Sequence, residues 1–392
     1  MTKPHTFEKP TGFRDFPPPL ASKKRMIEHR VQTRFELWGY QEVCTPTLEY
    51  YDTVGNASAI PEQKMFKCID REGNMLVLRP DQTAPIARLV SSVLKHEPLP
   101  LRLFYHASVF RAQENEAGRN AEFYQSGVEL IGESGAEADA EVIALAIEAL
   151  QACEIRQFQL TVGHVGLLDG LIRERVDDED VRIRLKEDLG RRDVVGFRER
   201  VQHLNIGEAA KEELLSLPRL IQNRRHLSGL ASRSGSPVVL DAVRYLEEVW
   251  SHLEDHGLAS YVSFDPSLVG SLGYYTGVYF EGYAAGQGFP LLSGGRYDRL
   301  YDSFDRPLAA TGFALKTDRL MEACPVTANE PEKVGLFYHP SAKKQAIEQA
   351  RRMRQEGRIV VTHRLTSGKK TARYAGIYDR LLIIGEGGVQ DV

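Results

Sequence analysis

LRLFYHASVF, residues 101–110, and AEFYQSGVELIG, residues 121–132, decide the fold of this chain. In the first run Leu101, Leu103, Tyr105, Ala107 and Val109 fall on one face. Arg102, Phe104, His106, Ser108 and Phe110 fall on the other, which is the period-two alternation of a strand. The second run is strand-like as well, and the polar stretch from Ala112 to Asn120 between them reads as the connection of a long hairpin. An antiparallel pair at the centre of a sheet is expected.

Working outward, Met26, Ile27, Val31, Phe35 and Trp38 recur at helical spacing and Gly39 follows as a stop, so an amphipathic helix is predicted over 20–38. The alanine-rich run 136–153, with Val142, Ile143, Ala146, Ile147 and Leu150 on one stripe, predicts a second helix. From about Val165 to Gly257 the sequence is charged and helical in pattern, as if an all-α insertion interrupts the sheet. Strand signals resume at YVSFDPSLVGSLGYYTGVYFEGY, residues 261–283. Beyond the linker CPVTANEPEK come VGLFYH, a helix from about Ser341 to Glu356 capped by Gly357, RIVVTHRL and LLIIG, which predict a small separate α/β domain. The expected class is α+β: an antiparallel sheet flanked by helices over 1–325, with a helical insertion at about 165–257, and an α/β domain over 326–392.

The chain has 392 residues, 42% hydrophobic, 27% charged and 9% aromatic, the composition of an ordinary globular protein and not of a disordered chain. No apolar run approaches the roughly 18 residues of a membrane span, and the start MTKPHTFEKPTGFRD is too polar for a signal peptide, so a cytoplasmic location without membrane association is expected. Lys plus Arg number 50 and Asp plus Glu 54, a net charge of −4 without a global basic excess. Residues 321–392 hold twelve basic and eight acidic side chains, net +4. Cys44, Cys68, Cys153 and Cys324 lie far apart with no C-x-x-C pair, which predicts buried thiols in place of a disulfide framework or a zinc ribbon. His252 and His256 are four apart, but residue 253 is Leu where a zincin carries its general-base Glu, so they read as surface histidines. GESG (132–135) and GEGG (385–388) complete no phosphate-binding motif and read as turns. No metal site and no cofactor are expected.

On the second central strand Phe123, Gln125, Gly127 and Glu129 share one face. Gln125 and Glu129 stand about 13 Å apart along it, and their side chains can converge on a small zwitterion lying over Gly127. RPDQTA adds Asp81 and Thr83, an anion and a hydroxyl suited to an ammonium group; SLGYYTG adds Tyr274 and Tyr275, and SGGRYD adds Tyr297 beside two glycines.

Taken in order, KPTGFRDFPP (9–18), FELWGYQEVCTPTLEY (35–50), VFRAQENEAGRNAEFYQSGVELIG (109–132), SLVGSLGYYTG (267–277), SGGRYDRL (293–300) and TGFALKTDRL (311–320) resemble the motifs of class II aminoacyl-tRNA synthetases, specifically histidyl-tRNA synthetase. The resemblance implies a class II synthetase-like fold. It also implies that Glu129 and Tyr275 bind an imidazole, while Asp81, Thr83 and Gln125 hold an α-amino group. The family's acid at position 81 is Glu, so Asp81 is one methylene short.

The departures cluster where adenylation needs cations around a triphosphate. Arg111 and Arg319 match the family. Its segment L-V-R-G-L-D-Y-Y, however, reads Leu268, Val269, Gly270, Ser271, Leu272, Gly273, Tyr274, Tyr275, so the Arg and the Asp are both glycine. Glu114 stands where a phosphate-facing Arg is expected, and Lys316 where the family has a small glycine. Loss of one preorganised donor costs on the order of 3 kcal/mol, about 100-fold in rate, and a charge reversal costs more. Only 72 residues follow Leu320, fewer than the family's anticodon-binding domain occupies.

A histidine cradle without adenylation residues and with a shortened tail resembles the family of ATP phosphoribosyltransferase regulatory subunits, the synthetase paralogues of histidine biosynthesis. That resemblance implies no catalytic residues of its own. It implies partnership with a short-form ATP phosphoribosyltransferase catalytic subunit, which transfers phosphoribosyl from phosphoribosyl pyrophosphate to ATP. It further implies a homodimer through FELWGYQEVCTPTLEYYDTV, free L-histidine as a ligand and feedback signal, and no tRNA partner. The candidate histidine-binding residues are Asp81, Thr83, Arg111, Gln125, Glu129, Tyr274, Tyr275 and Tyr297. The inhibitory site could be this pocket or a subunit interface. The competing readings are a divergent active histidyl-tRNA synthetase and a non-catalytic tRNA-binding module.

Overall fold

The computed structural model describes residues 7–112, 120–219, 224–232, 234–268, 270, 274–326, 331–365, 374, 376–385 and 388–391. It divides into two compact units, Met1–Val326 and Thr327–Val392.

The first unit opens with α1 (Pro18–Leu37), which starts on a proline whose missing N–H costs nothing there and buries Ile27, Val31 and Phe35. Gly39, at φ +81°, ends the turn and leads into β1 (Gln41–Glu42). A small antiparallel sheet follows, β2 (Leu48–Tyr50), β3 (Lys67–Ile69) and β4 (Met75–Leu78), in the order β2-β4-β3. The chain then enters α2 (Thr83–Ser92).

The expected hairpin strands form: β5 (Leu101–Phe110) and β6 (Glu122–Ile131) pair antiparallel over ten residues, from Leu101 opposite Ile131 to Phe110 opposite Glu122. After α3 (Ala136–Ala152) come β7 (Phe158–His164), the helices α4 (Val165–Arg173), α5 (Glu179–Gly190), α6 (Val194–Gln202), α7 (Glu208–Ser216), α8 (Arg224–Ala231) and α9 (Pro237–Asp255), and then β8 (Val262–Phe264). The unit closes with β9 (Val278–Ala284), β10 (Leu292–Arg296), β11 (Ala310–Lys316) and α10 (Thr317–Ala323).

Among the described residues the main sheet has eight strands in the order β1-β5-β6-β11-β10-β9-β7-β8. Every pairing from β5 to β7 is antiparallel, and the two edge strands pair parallel to their neighbours. The helical stretch divides between two cores. Leu168, Ile172, Leu185, Phe197, Val201 and Leu214 form a core of their own within α4 to α7. The stripe Val239, Ala242, Val243, Leu246, Val249 and Leu253 of α9 joins the core under the sheet, where α9 packs on α3. α3 is buried nearly all round, because alanines let α1, α9 and β11 approach it closely.

The second unit contains β12 (Lys333–Tyr338), α11 (Lys343–Gln355), β13 (Ile359–Arg364), β14 (Arg380–Gly385) and β15 (Gly388–Asp391). Its sheet order is β13-β12-β14-β15, parallel except for the last pair, with Ala346, Ala350 and Met353 of α11 in its core.

The cysteine expectation requires correction: Cys153 and Cys324 are buried, but Cys44 and Cys68 are exposed, because they sit on short peripheral segments where alternation gives no inward face. His256 packs against Trp38 with ring centroids 5.6 Å apart. Among the described residues no helix is long and apolar enough to cross a membrane.

Candidate ligand pocket

The cavity that gathers the sequence-predicted residues lies over β6 and β11. It holds about 130 Å³. One water needs roughly 10–15 Å³, so there is room for a ligand of several heavy atoms. Asp81, Thr83, Arg111, Gln125, Glu129, Tyr274, Tyr275 and Tyr297 all line it. Strand register explains how residues distant in sequence meet. Lys316, Ala314 and Gly312 of β11 lie opposite Gln125, Gly127 and Glu129 of β6, and Tyr105 of β5 lies opposite Gly127 from the other side.

Glu129 forms one end and is only 3% exposed. The Thr83 hydroxyl, on the first residue of α2, donates to its Oε1 at 2.9 Å, and the Tyr297 hydroxyl donates to its Oε2. A Cβ at Gly312 would run into the same carboxylate, so the glycine makes its space. Burial pushes the Glu129 carboxyl well above the usual carboxylate range; the Thr83 hydrogen bond opposes this and the Asp81 charge reinforces it. Burial likewise raises the phenols of Tyr105, Tyr274 and Tyr275, which stay neutral and able to donate. Tyr275 packs with tilted rings at 4.7 Å against both Tyr274 and Tyr279, and Tyr274 meets Tyr297 edge-on at 5.5 Å.

Asp81, in the turn before α2, accepts the Ala84 amide at 3.0 Å on Oδ1 and the Ser58 hydroxyl on Oδ2. Arg111, just past β5, donates its Nε to the Pro80 carbonyl at 2.8 Å and lies 5.3 Å over the Phe123 ring. Lys316 closes the Gln125 end. Loss of solvent, reinforced by Arg319, pulls its ammonium down to about 7. Two buried acids, two cations and a set of neutral phenols suit a zwitterion with a polar side chain.

One placement differs from the sequence reading. The space over Gly127 is taken by the Tyr105 ring: a Cβ at 127 would stand 2.5 Å from the Tyr105 hydroxyl and from the Phe313 carbonyl oxygen. Tyr105, and not the bare glycine, therefore forms that part of the cavity floor. Among the described residues the Glu129 carboxylate accepts from the Tyr297 and Thr83 hydroxyls, and the Thr83 oxygen keeps lone pairs that can accept from an ammonium. Of the two arginines matching the synthetase pattern, Arg111 lines the cavity. Arg319 does not; it donates to the Pro290 carbonyl at 2.7 Å and lies over Phe289.

The family model for histidyl-tRNA synthetase matches residues 12–320. The ATP phosphoribosyltransferase regulatory subunit of Halalkalibacterium halodurans is 45% identical over 366 residues, covering 92% of this chain and 91% of the relative. That of Bacillus subtilis is 42% identical over 365 residues, 92% of each chain. The chain belongs to the ATP phosphoribosyltransferase regulatory subunit family. A crystal structure of an ATP phosphoribosyltransferase regulatory subunit/histidyl-tRNA synthetase from Bacillus halodurans superposes with a TM-score of 0.90 at 42% identity, over 97% of this chain and 99% of the other. Histidyl-tRNA synthetase from Nostoc sp. PCC 7120 superposes at 0.84 with 18% identity, over 98% and 93%, which shows the shared class II fold.

For a member of the regulatory subunit family, Gly270 is the informative departure from the synthetase pattern. A Cβ there would stand 2.5 Å from Cδ2 of Tyr275 and 3.1 Å from the Tyr279 ring. The aromatic rings occupy the room that a longer side chain would need. Glu114 and Gly273 lie outside the described residues. Sequence reasoning passed over Tyr105 and Lys316 as pocket residues. Pairing β5 with β6 in register would have found the first, and Lys316 was visible only as a departure from a glycine.

Proposed function

We propose that this chain acts as the non-catalytic regulatory subunit of an ATP phosphoribosyltransferase and that its pocket binds free L-histidine. The carrying observation is a pocket that keeps Glu129 between the Thr83 and Tyr297 hydroxyls, while Gly270 offers no cation and is walled in by Tyr275 and Tyr279. Amino-acid recognition needs the first feature; activation of the carboxylate needs a charge that the second withholds.

In this reading Glu129 and Tyr275 face the imidazole, and Asp81, Thr83 and Gln125 face the α-ammonium. Feedback follows if histidine binds two states of the complex with different affinity, a coupling typically of about 1–3 kcal/mol. The chain would pair with itself through the stretch containing β2. Leu48, Tyr50, Ile69 and Met75 of the small sheet are exposed, which supports an apolar contact there. The Thr327–Val392 unit would be a shortened anticodon-binding-like domain that no longer engages tRNA, and the complex would work in the cytoplasm.

The test combines the purified chain with a short-form catalytic subunit. Co-elution, phosphoribosyl transfer that requires this chain, and inhibition by histidine are the expected results. The isolated chain should show no histidine-dependent exchange of pyrophosphate into ATP. Robust exchange would instead establish a divergent synthetase, and salt-sensitive tRNA binding without exchange would favour an RNA-binding module.

A further inference from the structure

We propose that Lys316 is the side chain that fixes the carboxylate of the bound amino acid, making the pocket selective for a free α-carboxylate; this rests on the amino-acid reading above.

The cavity has two ends, set by strand register. Glu129 faces Gly312 at one, and Gln125 faces Lys316 at the other, about 13 Å further along the strand. An amino acid with a polar side chain presents that side chain and its carboxylate at opposite ends, and the cation lies where the carboxylate would fall. Neither group at that end is satisfied by protein. Among the described residues the Gln125 amide, 6% exposed, and the Lys316 ammonium have no hydrogen bond, although both line the cavity. The amide and the half-buried ammonium both open onto the cavity, and a carboxylate accepting from the Gln125 NH2 group and from Lys316 forms charge-assisted hydrogen bonds there while the Gln125 oxygen stays available to the ligand's ammonium.

The nearby acid does not serve Lys316. Glu281 already accepts from the Tyr279 hydroxyl at 2.6 Å, from Arg192 at 2.5 Å and from the Tyr283 hydroxyl. Arg111 is oriented by Pro80 and Phe123, and Gly270 has no room for a side chain. The lowered titration range of Lys316 agrees with a cation waiting for an anion.

Calorimetric titration of the full chain with L-histidine and with L-histidinol, which keeps the imidazole and ammonium but carries an alcohol for the carboxylate, tests this. Lys316→Met should weaken histidine binding by about tenfold or more and leave histidinol within about twofold, while Lys316→Arg recovers part of the loss. A melting temperature for Lys316→Met no lower than that of the native chain shows that the fold is intact. Unchanged histidine affinity in Lys316→Met, or equal losses for both ligands, overturns the proposal. If the native chain takes up no histidine, the histidine reading falls, and the other common L-amino acids are titrated in the same way. One that binds with Lys316 dependence keeps Lys316 as the carboxylate site; none binding removes both.

Discussion

Lys316 and Glu129 are displaced from their ordinary titration ranges in opposite directions by one shared cause, the loss of water around a charge. For Lys316 this gives a signed pH effect. Only the ammonium attracts a carboxylate, and with the free protein titrating at about 7, binding above that pH must first take up a proton. Histidine affinity should therefore fall as pH rises from about 6 to about 8.5, by up to about tenfold per unit above 7. The charges facing Lys316 are Arg319, Glu281, Arg111 and Arg192. Because the ligand titrates too, the measurement is the difference between the native chain and Lys316→Met. Parallel affinity profiles for the two proteins would refute it. At this scale the sequence was partly legible. Alternation along β6 placed Gln125 and Glu129 on one face, and the motif order supplied Asp81, Thr83 and the tyrosines. That Tyr105 fills the space over Gly127 depends on register with another strand, which spacing within one strand cannot reveal.

Elements are held together by pairings that join distant parts of the chain. Asp139, in the first turn of α3 and 1% exposed, receives the Arg296 guanidinium from the end of β10, with Nε to Oδ2 at 3.0 Å and Nη2 to Oδ1 at 3.0 Å. The Tyr245 hydroxyl of α9 donates to the same carboxylate at 2.7 Å. Arg296 also donates to the carbonyls of Glu133 and Gly135, fixing the turn into α3. Replacement by methionine leaves a buried carboxylate with one phenol partner, so Arg296→Met should cost about 3–5 kcal/mol in urea unfolding. A loss under about 1 kcal/mol would mean that the carboxylate finds water or protonates without strain. Adding Asp139→Leu should restore part of the stability, since the unpaired charge goes with it. The helices themselves were readable, because the stripes Ile27, Val31, Phe35 and Val142, Ile143, Ala146, Ile147, Leu150 repeat at helical period. Their clamp was not readable: Arg296 and Asp139 are 157 residues apart, and no local pattern pairs them.

At the scale of the molecule, the antiparallel centre of the main sheet was legible from a single hairpin. The parallel edges were not. β1 has two residues and β8 three, too short for any period to register. The division of the helical stretch between two cores was hidden as well, since an apolar stripe on α9 or α5 shows that a face is buried and not which core it joins. The almost complete enclosure of α3 by the sheet and the helices around it carries a consequence for how the chain breathes in solution. Its backbone amides can trade protons for deuterium only when the whole unit opens, so they should report the global unfolding free energy. Those of α5 to α7, served by a smaller core, should exchange through local opening and show weaker protection. Mass spectrometry finding α3 labelled as fast as α6 would mean that this helix frays independently of the sheet it supports.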